Sequence, residues 1–249
     1  MCIKINRWFC RFGNNIQQIV NAVFLAQVYG HSKVTFPKHE LIRNTRIILD
    51  PGRKSEPKDL TGRFFKIQEH TDIPLTPERR REIAQQYVQP LLDLPDIPFY
   101  DEDTIVIHIR AGDIFSKKPH RMYVPCPLSL YQRVIDQYQR AVVVYEDRGH
   151  PAVDALERDP KVTLHHGDIL TDIAHLAAAK NLLIGVGTFG MMGYMFSRNI
   201  GAIHLPEYVR TPFTDIKVMR YSLEGYIPQG EWKNTSAQRE IIMNYSCEP

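Results

Sequence analysis

The sequence contains few cysteines, and none of them is paired at metal-binding spacing. The four cysteines among 249 residues are Cys2, Cys10, Cys126 and Cys247, and no C-x-x-C motif occurs. Structural zinc sites and disulfide-stabilised scaffolds need closely paired or denser cysteines. We therefore expect free thiols and no metal site, although Cys2 and Cys10 can pair in an oxidising compartment.

The sequence also lacks a long apolar run. No segment approaches the ~20 apolar residues that a membrane-spanning helix requires. The first five residues already have the pattern of a strand, so no signal peptide or anchor is predicted. These features are typical of a soluble, cytoplasmic protein, and they are equally compatible with a Golgi or membrane anchor that has been removed.

A strong excess of one charge is missing as well. The formal net charge is only +3. Nucleic-acid-binding domains carry a larger and more clustered basic excess. We therefore predict no nucleic-acid partner, whereas a phosphate-bearing ligand is compatible with this balance.

Glycine-rich nucleotide motifs are also absent, because neither G-x-G-x-x-G nor the Walker A pattern occurs. This absence argues against a dinucleotide-dependent oxidoreductase. The second half instead alternates short apolar strands with helices five times. That alternation is typical of a parallel sheet with helical crossovers.

The most informative stretch is an apolar strand that ends in polar residues. Thr104–Ile109 is typical of a strand buried on both faces, and Arg110 and Asp113 follow it. His108 and Arg110 lie two residues apart, on the same side of the chain. Since the carboxyl ends of parallel strands line the ligand crevice of α/β sheets, Arg110 is a candidate phosphate-binding guanidinium. A buried histidine and a salt-bridged arginine with structural roles are the alternative interpretation.

Two glycine-bearing loops lead into predicted helices, where backbone N–H groups can receive an anion. The first loop contains Gly13 and precedes a helix predicted from about Asn14 to Tyr29. The second is the turn Gly187-Thr188-Phe189-Gly190, which opens a Met-rich helix. Capped structural turns are the alternative interpretation of both loops.

The order of these motifs resembles that of the fucosyltransferase superfamily, which includes the α1,2-, α1,6- and protein O-fucosyltransferases. Arg11-Phe12-Gly13-Asn14 is similar to its first glycine–asparagine motif, and His108-Ile109-Arg110 to its arginine motif. The segment from Asp168 to Met192 is similar to its last nucleotide-binding block. The similar segments are roughly residues 7–30, 104–113 and 168–198.

The resemblance implies an α/β fold of the GT-B type, with two Rossmann-like halves facing across a cleft. The halves are expected at residues 1–100 and 101–230, with a C-terminal helix in 231–249 that packs back on the first half. The implied activity is an inverting, metal-independent glycosyltransferase. It moves a sugar from a nucleotide-diphosphate donor, GDP-fucose by default, to a hydroxyl of an oligosaccharide or glycoprotein glycan. No cofactor beyond this nucleotide-sugar co-substrate is implied.

The resemblance also implies roles for single residues. Arg110 binds the donor diphosphate, His108 and Asp172 approach the nucleotide base, and the turn at Gly190 cradles phosphate. Asn14 reaches the phosphate or the sugar from the other half. The full set expected to bind the donor is Arg11, Gly13, Asn14, His108, Arg110, Glu146, Asp172, Thr188, Phe189 and Gly190.

The sequence departs from the family pattern at the general base. The carboxylate that follows the arginine motif in the family has no match here, and Lys117 and Lys118 stand in that region. Asp72 is our first choice for the base, because it closes a polar cluster after a strand predicted at residues 63–68. Asp113 and Glu146 are the next choices, so the predicted catalytic residues are Arg110, Asp72 and Asp113.

Two alternatives to this function stay open. The same fold and chemistry can use a UDP-sugar such as UDP-xylose. The missing carboxylate also favours a non-catalytic module that binds a nucleotide or a carbohydrate.

Overall fold

The chain forms two compact units, Met1–Pro95 and Asp96–Pro249. The computed structural model describes residues 1–50, 59–210, 213 and 215–247. Each unit has its own sheet, and the boundary falls in a proline-containing stretch close to the predicted one at residue 100.

The first unit is a four-stranded sheet in the order β3-β2-β1-β4. Strands β1, β2 and β4 run parallel, and β3 pairs antiparallel with β2. The long helix α1 buries an apolar face that includes Ile16, Ile19 and Val23, and it ends at Gly30 in the left-handed conformation. Its elements are β1 (Cys2–Ile5), α1 (Phe12–Tyr29), β2 (Lys33–Thr35), β3 (Arg46–Ile48), β4 (Leu60–Gly62) and α2 (Pro77–Ile83).

One strand of the first unit lies earlier than the sequence predicted. The strand expected at residues 63–68 is instead β4, at Leu60–Gly62, and Ile67–Glu69 forms a 3-10 turn. Phe64 has a φ of 52°, which is incompatible with an extended strand. Asp72 therefore does not follow a strand directly.

The second unit is a six-stranded sheet in the order β10-β9-β8-β5-β6-β7, and every neighbouring pair is parallel. This confirms the predicted α/β class with a parallel sheet. The elements are β5 (Thr104–Ile109), α3 (Leu128–Ile135), β6 (Arg140–Tyr145), α4 (Ala152–Leu156), β7 (Val162–His165), α5 (Ile169–Ala177), β8 (Asn181–Ile184), α6 (Phe189–Phe196), β9 (Ala202–Pro206), β10 (Lys217–Tyr221) and α7 (Ser236–Asn244).

The strand order of the second sheet changes direction at β5. The chain builds outward from β5 through β6 to β7, then crosses back to β8 on the other side of β5 and continues to β9 and β10. This is the order of a Rossmann-type sheet, in which ligands bind at the carboxyl ends of the two strands where the direction reverses. The relevant pair here is β5 and β8, which are both fully buried because their residues are almost all apolar.

The C-terminal helix corrects one expectation from the sequence. We expected it to pack on the first half, but α7 packs against α3 within the second unit. Ile242 is fully buried and joins Trp232 in the same core cluster as Ile105 and Ile107 of β5. The buried side of α7 thus belongs to the core of the second unit. Within the described part of the chain, no helix has both the length and the apolarity to cross a bilayer.

Candidate functional site

The candidate site lies where β5 and β8 end side by side. His108 is in register with Ile184 across this parallel pair, so the residues that follow the two strands emerge at the same edge of the sheet. Arg110 follows β5, and Gly187 and Thr188 follow β8 and precede α6. The structure therefore brings together two motifs that are more than seventy residues apart in the sequence.

The Arg110 guanidinium is held in one orientation by two neighbours. Its Nη2 donates to both carboxylate oxygens of Asp113, at 2.9 and 3.1 Å. Its Cζ lies 4.4 Å from the centroid of the Tyr123 ring, at the distance of a cation–π contact. The Arg110 side chain is 14% exposed. Among the described residues, Nη1 and Nε make no hydrogen bond, so these donors are available to a ligand.

Gly187 explains how the arginine reaches the start of α6. A Cβ atom at this position would lie 2.3 Å from Arg110 Nη1, and the φ of Gly187 is +99°. Both the close approach and the backbone conformation require glycine. Nη1 thus lies against the turn that leads into α6, whose first backbone N–H groups have no acceptor within the helix. This arrangement concentrates positive charge at one point.

The His108 ring packs against the Thr188–Gly190 turn. Its ring is 4% exposed and packs against Phe189, with centroids 5.3 Å apart. Nδ1 faces Gly190, where a Cβ would lie 3.1 Å away, and this nitrogen has no hydrogen-bond partner among the described residues. Burial, assisted by the nearby Arg110 charge, lowers the pKa of His108 to about 3. The ring is therefore neutral at physiological pH and adds no charge to the site.

Glu146 is hydrogen-bonded to the segment that follows Arg110. It follows β6, and its Oε2 accepts a hydrogen bond from the Ala111 backbone N–H at 3.2 Å. Its carboxylate also lies directly over Gly112, where a Cβ would come within 2.5 Å of Oε1. Glu146 thus holds the turn after β5, and Asp113 pairs with Arg110 within the same turn.

Asp172 occupies a separate position, in the first turn of α5. Its Oδ1 accepts from the Gly167 N–H at 3.0 Å and lies 3.3 Å from His165 Nε2. Burial raises the pKa of this carboxyl group, against the opposing effect of the Gly167 hydrogen bond. The His165 ring in turn packs on His175, with centroids 3.9 Å apart. Asp172 is buried beside the segment that links β7 and α5.

Four predicted residues lie in the first unit. Arg11 is the exposed N-cap residue of α1, while Gly13 is buried in its first turn and Asn14 is partly buried. Asp72 is exposed, in the loop between the 3-10 turn and α2. The first three residues are thus grouped at one helix start, and Asp72 belongs to another part of the same unit.

The ends of β1 and β4 are fixed by buried amide side chains of α1. Gln18 donates to the carbonyl oxygens of Arg7 and Arg63, at 3.1 and 2.6 Å. Asn21 donates to those of Phe64 and Phe65, at 2.8 and 2.9 Å. These hydrogen bonds satisfy backbone groups that the irregular loops leave unpaired, so the polar positions of α1 have a structural role.

Sequence reasoning missed Tyr123 as part of the site. It lies thirteen residues after Arg110, in a loop without periodic pattern, so no local signal placed its ring over the guanidinium.

Among the described residues, no group of three or more His, Cys, Asp or Glu side chains is arranged to hold a metal ion. Comparison with protein-family models and with curated protein sequences gave no match.

Proposed function

We propose that the chain is an inverting, metal-independent glycosyltransferase of the GT-B type, with a nucleoside-diphosphate sugar as donor and a glycan hydroxyl as acceptor. GDP-fucose is the default donor, on the strength of the motif order in the sequence. The observation that supports the proposal most is the position of Arg110, at the reversal point of a Rossmann-type sheet with Nη1 against the start of α6.

The proposed chemistry follows from charge. A nucleoside diphosphate leaves a sugar only when the negative charge that develops on its phosphates is stabilised. Arg110 offers a guanidinium whose geometry matches two phosphate oxygens. The Thr188–Gly190 turn offers backbone N–H groups at the positive end of a helix dipole. Because these groups are held before the substrate arrives, little reorganisation is needed during the reaction.

Inversion at the sugar carbon requires a base that removes the proton of the acceptor hydroxyl. Asp113 is paired with Arg110, and Glu146 accepts from Ala111. Both carboxylates are therefore occupied in positioning. Asp72, the base that the sequence predicts, stays our proposed base, and its side chain is exposed.

A second candidate function is a module that binds a nucleotide without turning over a donor. The observation that favours it is the engagement of both carboxylates next to Arg110. Such a module would keep the phosphate site and lack the proton transfer. Binding and turnover must therefore be measured separately.

The binding step is tested by thermal unfolding in the presence of GDP, UDP or NAD. We expect GDP or UDP to raise the Tm, because a ligand at one hundred times its Kd stabilises the folded state by about 2.7 kcal/mol. The rise should vanish in Arg110→Ala. Arg140→Ala is the matched control and should keep the rise in Tm. Arg140 is the first residue of β6, at the amino ends of the parallel strands, whereas Arg110 lies at their carboxyl ends. An equal rise in both variants, or none in the wild-type protein, would refute the proposal.

The catalytic step is tested by donor turnover in EDTA. The proposed transferase releases the nucleotide in the presence of an acceptor, and Asp72→Asn slows this release without weakening nucleotide binding. Nucleotide binding without release across a panel of acceptors would instead establish the non-catalytic module.

A further inference from the structure

The three carbonyl groups that follow Asp113 are all bonded by side chains from the far end of the chain. Trp232 Nε1 donates to the Ile114 carbonyl oxygen at 2.7 Å. Asn234 Nδ2 donates to the next two carbonyl oxygens, those of Phe115 and Ser116. These partners are 118 or 119 residues apart in sequence. A short 3-10 turn, which leaves these carbonyls without partners of its own, is thus fixed by tertiary contacts.

Two side chains from the C-terminal part of the chain also contact the Phe115 ring. Trp232 packs edge-on against it, with centroids 5.6 Å apart, and the Arg239 guanidinium lies 5.2 Å from its centroid. Trp232 is fully buried. Arg239 Nε donates in turn to Asn234 Oδ1 at 2.8 Å, so both ends of the Asn234 amide are used.

The segment that contains Trp232 and Asn234 is itself held by local hydrogen bonds. Asn234 has a φ of 58°, a left-handed conformation that asparagine tolerates better than most residues. The next residue, Thr235, caps α7 in a capping box with Gln238. Gln238 also accepts from the Lys233 N–H and donates to the Glu231 carbonyl oxygen, both at 2.8 Å. The hydrogen bonds of the α7 cap therefore fix the backbone on which Trp232 and Asn234 lie.

We infer that Trp232 and Asn234 are positioning residues for the Arg110 guanidinium. They fix the backbone of Ile114–Ser116, and this fixes Asp113, whose carboxylate holds Arg110 at 2.9 Å. They do not touch the proposed ligand themselves. The inference rests on the proposed function to the extent that Arg110 binds a nucleoside diphosphate, and it names the part of the chain that prepares that group.

The decisive variant is Asn234→Gly. Glycine keeps the left-handed backbone at low cost and removes both hydrogen bonds to the loop. We expect faster amide hydrogen exchange in the peptide that spans residues 111–116, and a loss of nucleotide affinity on the order of tenfold, because small misplacements of binding groups are costly. Ile242→Ala is the control: it truncates a side chain of α7 in the same core cluster and removes none of the hydrogen bonds to the loop.

A double-mutant cycle separates positioning from general destabilisation. If Asn234 acts through Arg110, then Asn234→Gly should weaken nucleotide binding much less in an Arg110→Lys background than in the wild-type background. Trp232→Phe, which keeps ring packing and loses the Nε1 hydrogen bond, should behave like Asn234→Gly. Additive losses in the cycle, or wild-type affinity in both variants, would overturn the inference.

The two proposals fail in different ways. If no nucleotide binds the wild-type protein but exchange of residues 111–116 rises in Asn234→Gly, the proposed function is wrong and the positioning contact stands. If exchange of that peptide does not change, the positioning inference is wrong, whatever the protein binds.

Discussion

At the scale of single residues, three residues define the environment of the Arg110 guanidinium. Asp113 pairs with Nη2, Tyr123 lies under the guanidinium plane, and Gly187 leaves room for Nη1. An isolated arginine loses rotamer entropy when a ligand binds. Here that cost is met on folding, so the donors are already oriented.

Gly187→Ala tests this packing directly. Both Gly187 and Gly225 have a positive φ, but a Cβ at 187 would collide with Arg110, whereas nothing lies within 4 Å of one at 225. Each alanine should cost ~1 kcal/mol for the backbone conformation. Only Gly187→Ala should also displace the guanidinium and lower nucleotide affinity at least tenfold, as measured by titration calorimetry. Equal affinities in the two variants would contradict the role given to Arg110.

The sequence predicted single site residues where the signal is local. Arg110 follows a continuous apolar run, and Thr188 precedes a helix, so both could be placed at the edge of a parallel sheet. The contacts that these residues make with distant parts of the chain could not be predicted. Tyr123, Trp232 and Asn234 reach the site through loops and long sequence separations, which no periodicity encodes. The expected general base also lacked a local signal: Asp113 pairs with the Arg110 side chain, and Glu146 accepts a hydrogen bond from the Ala111 backbone N–H.

At the scale of elements, the position of α6 depends on a close helix–helix contact. α6 carries the Thr188–Gly190 turn at its start and packs against α5. A Cβ at Gly193 would lie 2.9 Å from both Leu176 Cβ and Leu182 Cδ2. Glycine at this position lets α6 pack closely against α5 and β8. This close packing fixes the position of the Thr188–Gly190 turn relative to the sheet.

Gly193→Ala should therefore push α6 outward. Overpacking of this kind costs about 1–3 kcal/mol, and the loss should appear as a lower free energy of unfolding in urea together with weaker nucleotide binding. Gly201→Ala is the control, because its Cβ would meet the flexible end of Lys180 at 3.2 Å. If Gly193→Ala and Gly201→Ala are equally stable, the close packing of α5 and α6 is not limiting.

Strands that are buried along their whole length were easier to predict from the sequence than strands at the edge of the sheet. β5 and β8 are buried along their whole length and read clearly from their apolar sequences. β10 was missed, because Lys217–Tyr221 mixes charged and apolar residues as an edge strand does. The sequence predicts a helix from about Leu128 to Arg140, but α3 ends at Ile135, and Arg140 begins β6 with its N–H bonded to the Asp103 carbonyl oxygen.

At the scale of the whole molecule, the two units differ in how strongly their topology points to a ligand. The described part of the second unit has six parallel strands and a reversal point between β5 and β8, where the proposed phosphate groups would sit. Among its described residues, the first unit has four strands, one of them antiparallel. Sequence alternation predicted the parallel sheet of the second unit. It did not predict the strand order or the packing of α7, which depend on which apolar faces meet.

The most direct measurement is hydrogen–deuterium exchange of the intact protein with and without a saturating nucleoside diphosphate. We expect GDP or UDP to slow exchange in two peptides, one over residues 108–116 and one over residues 185–192, because phosphate oxygens would engage Arg110 and the first amides of α6. Protection confined to other peptides, or unchanged exchange in both of these, would contradict the central claim that the β5–β8 edge binds the donor diphosphate.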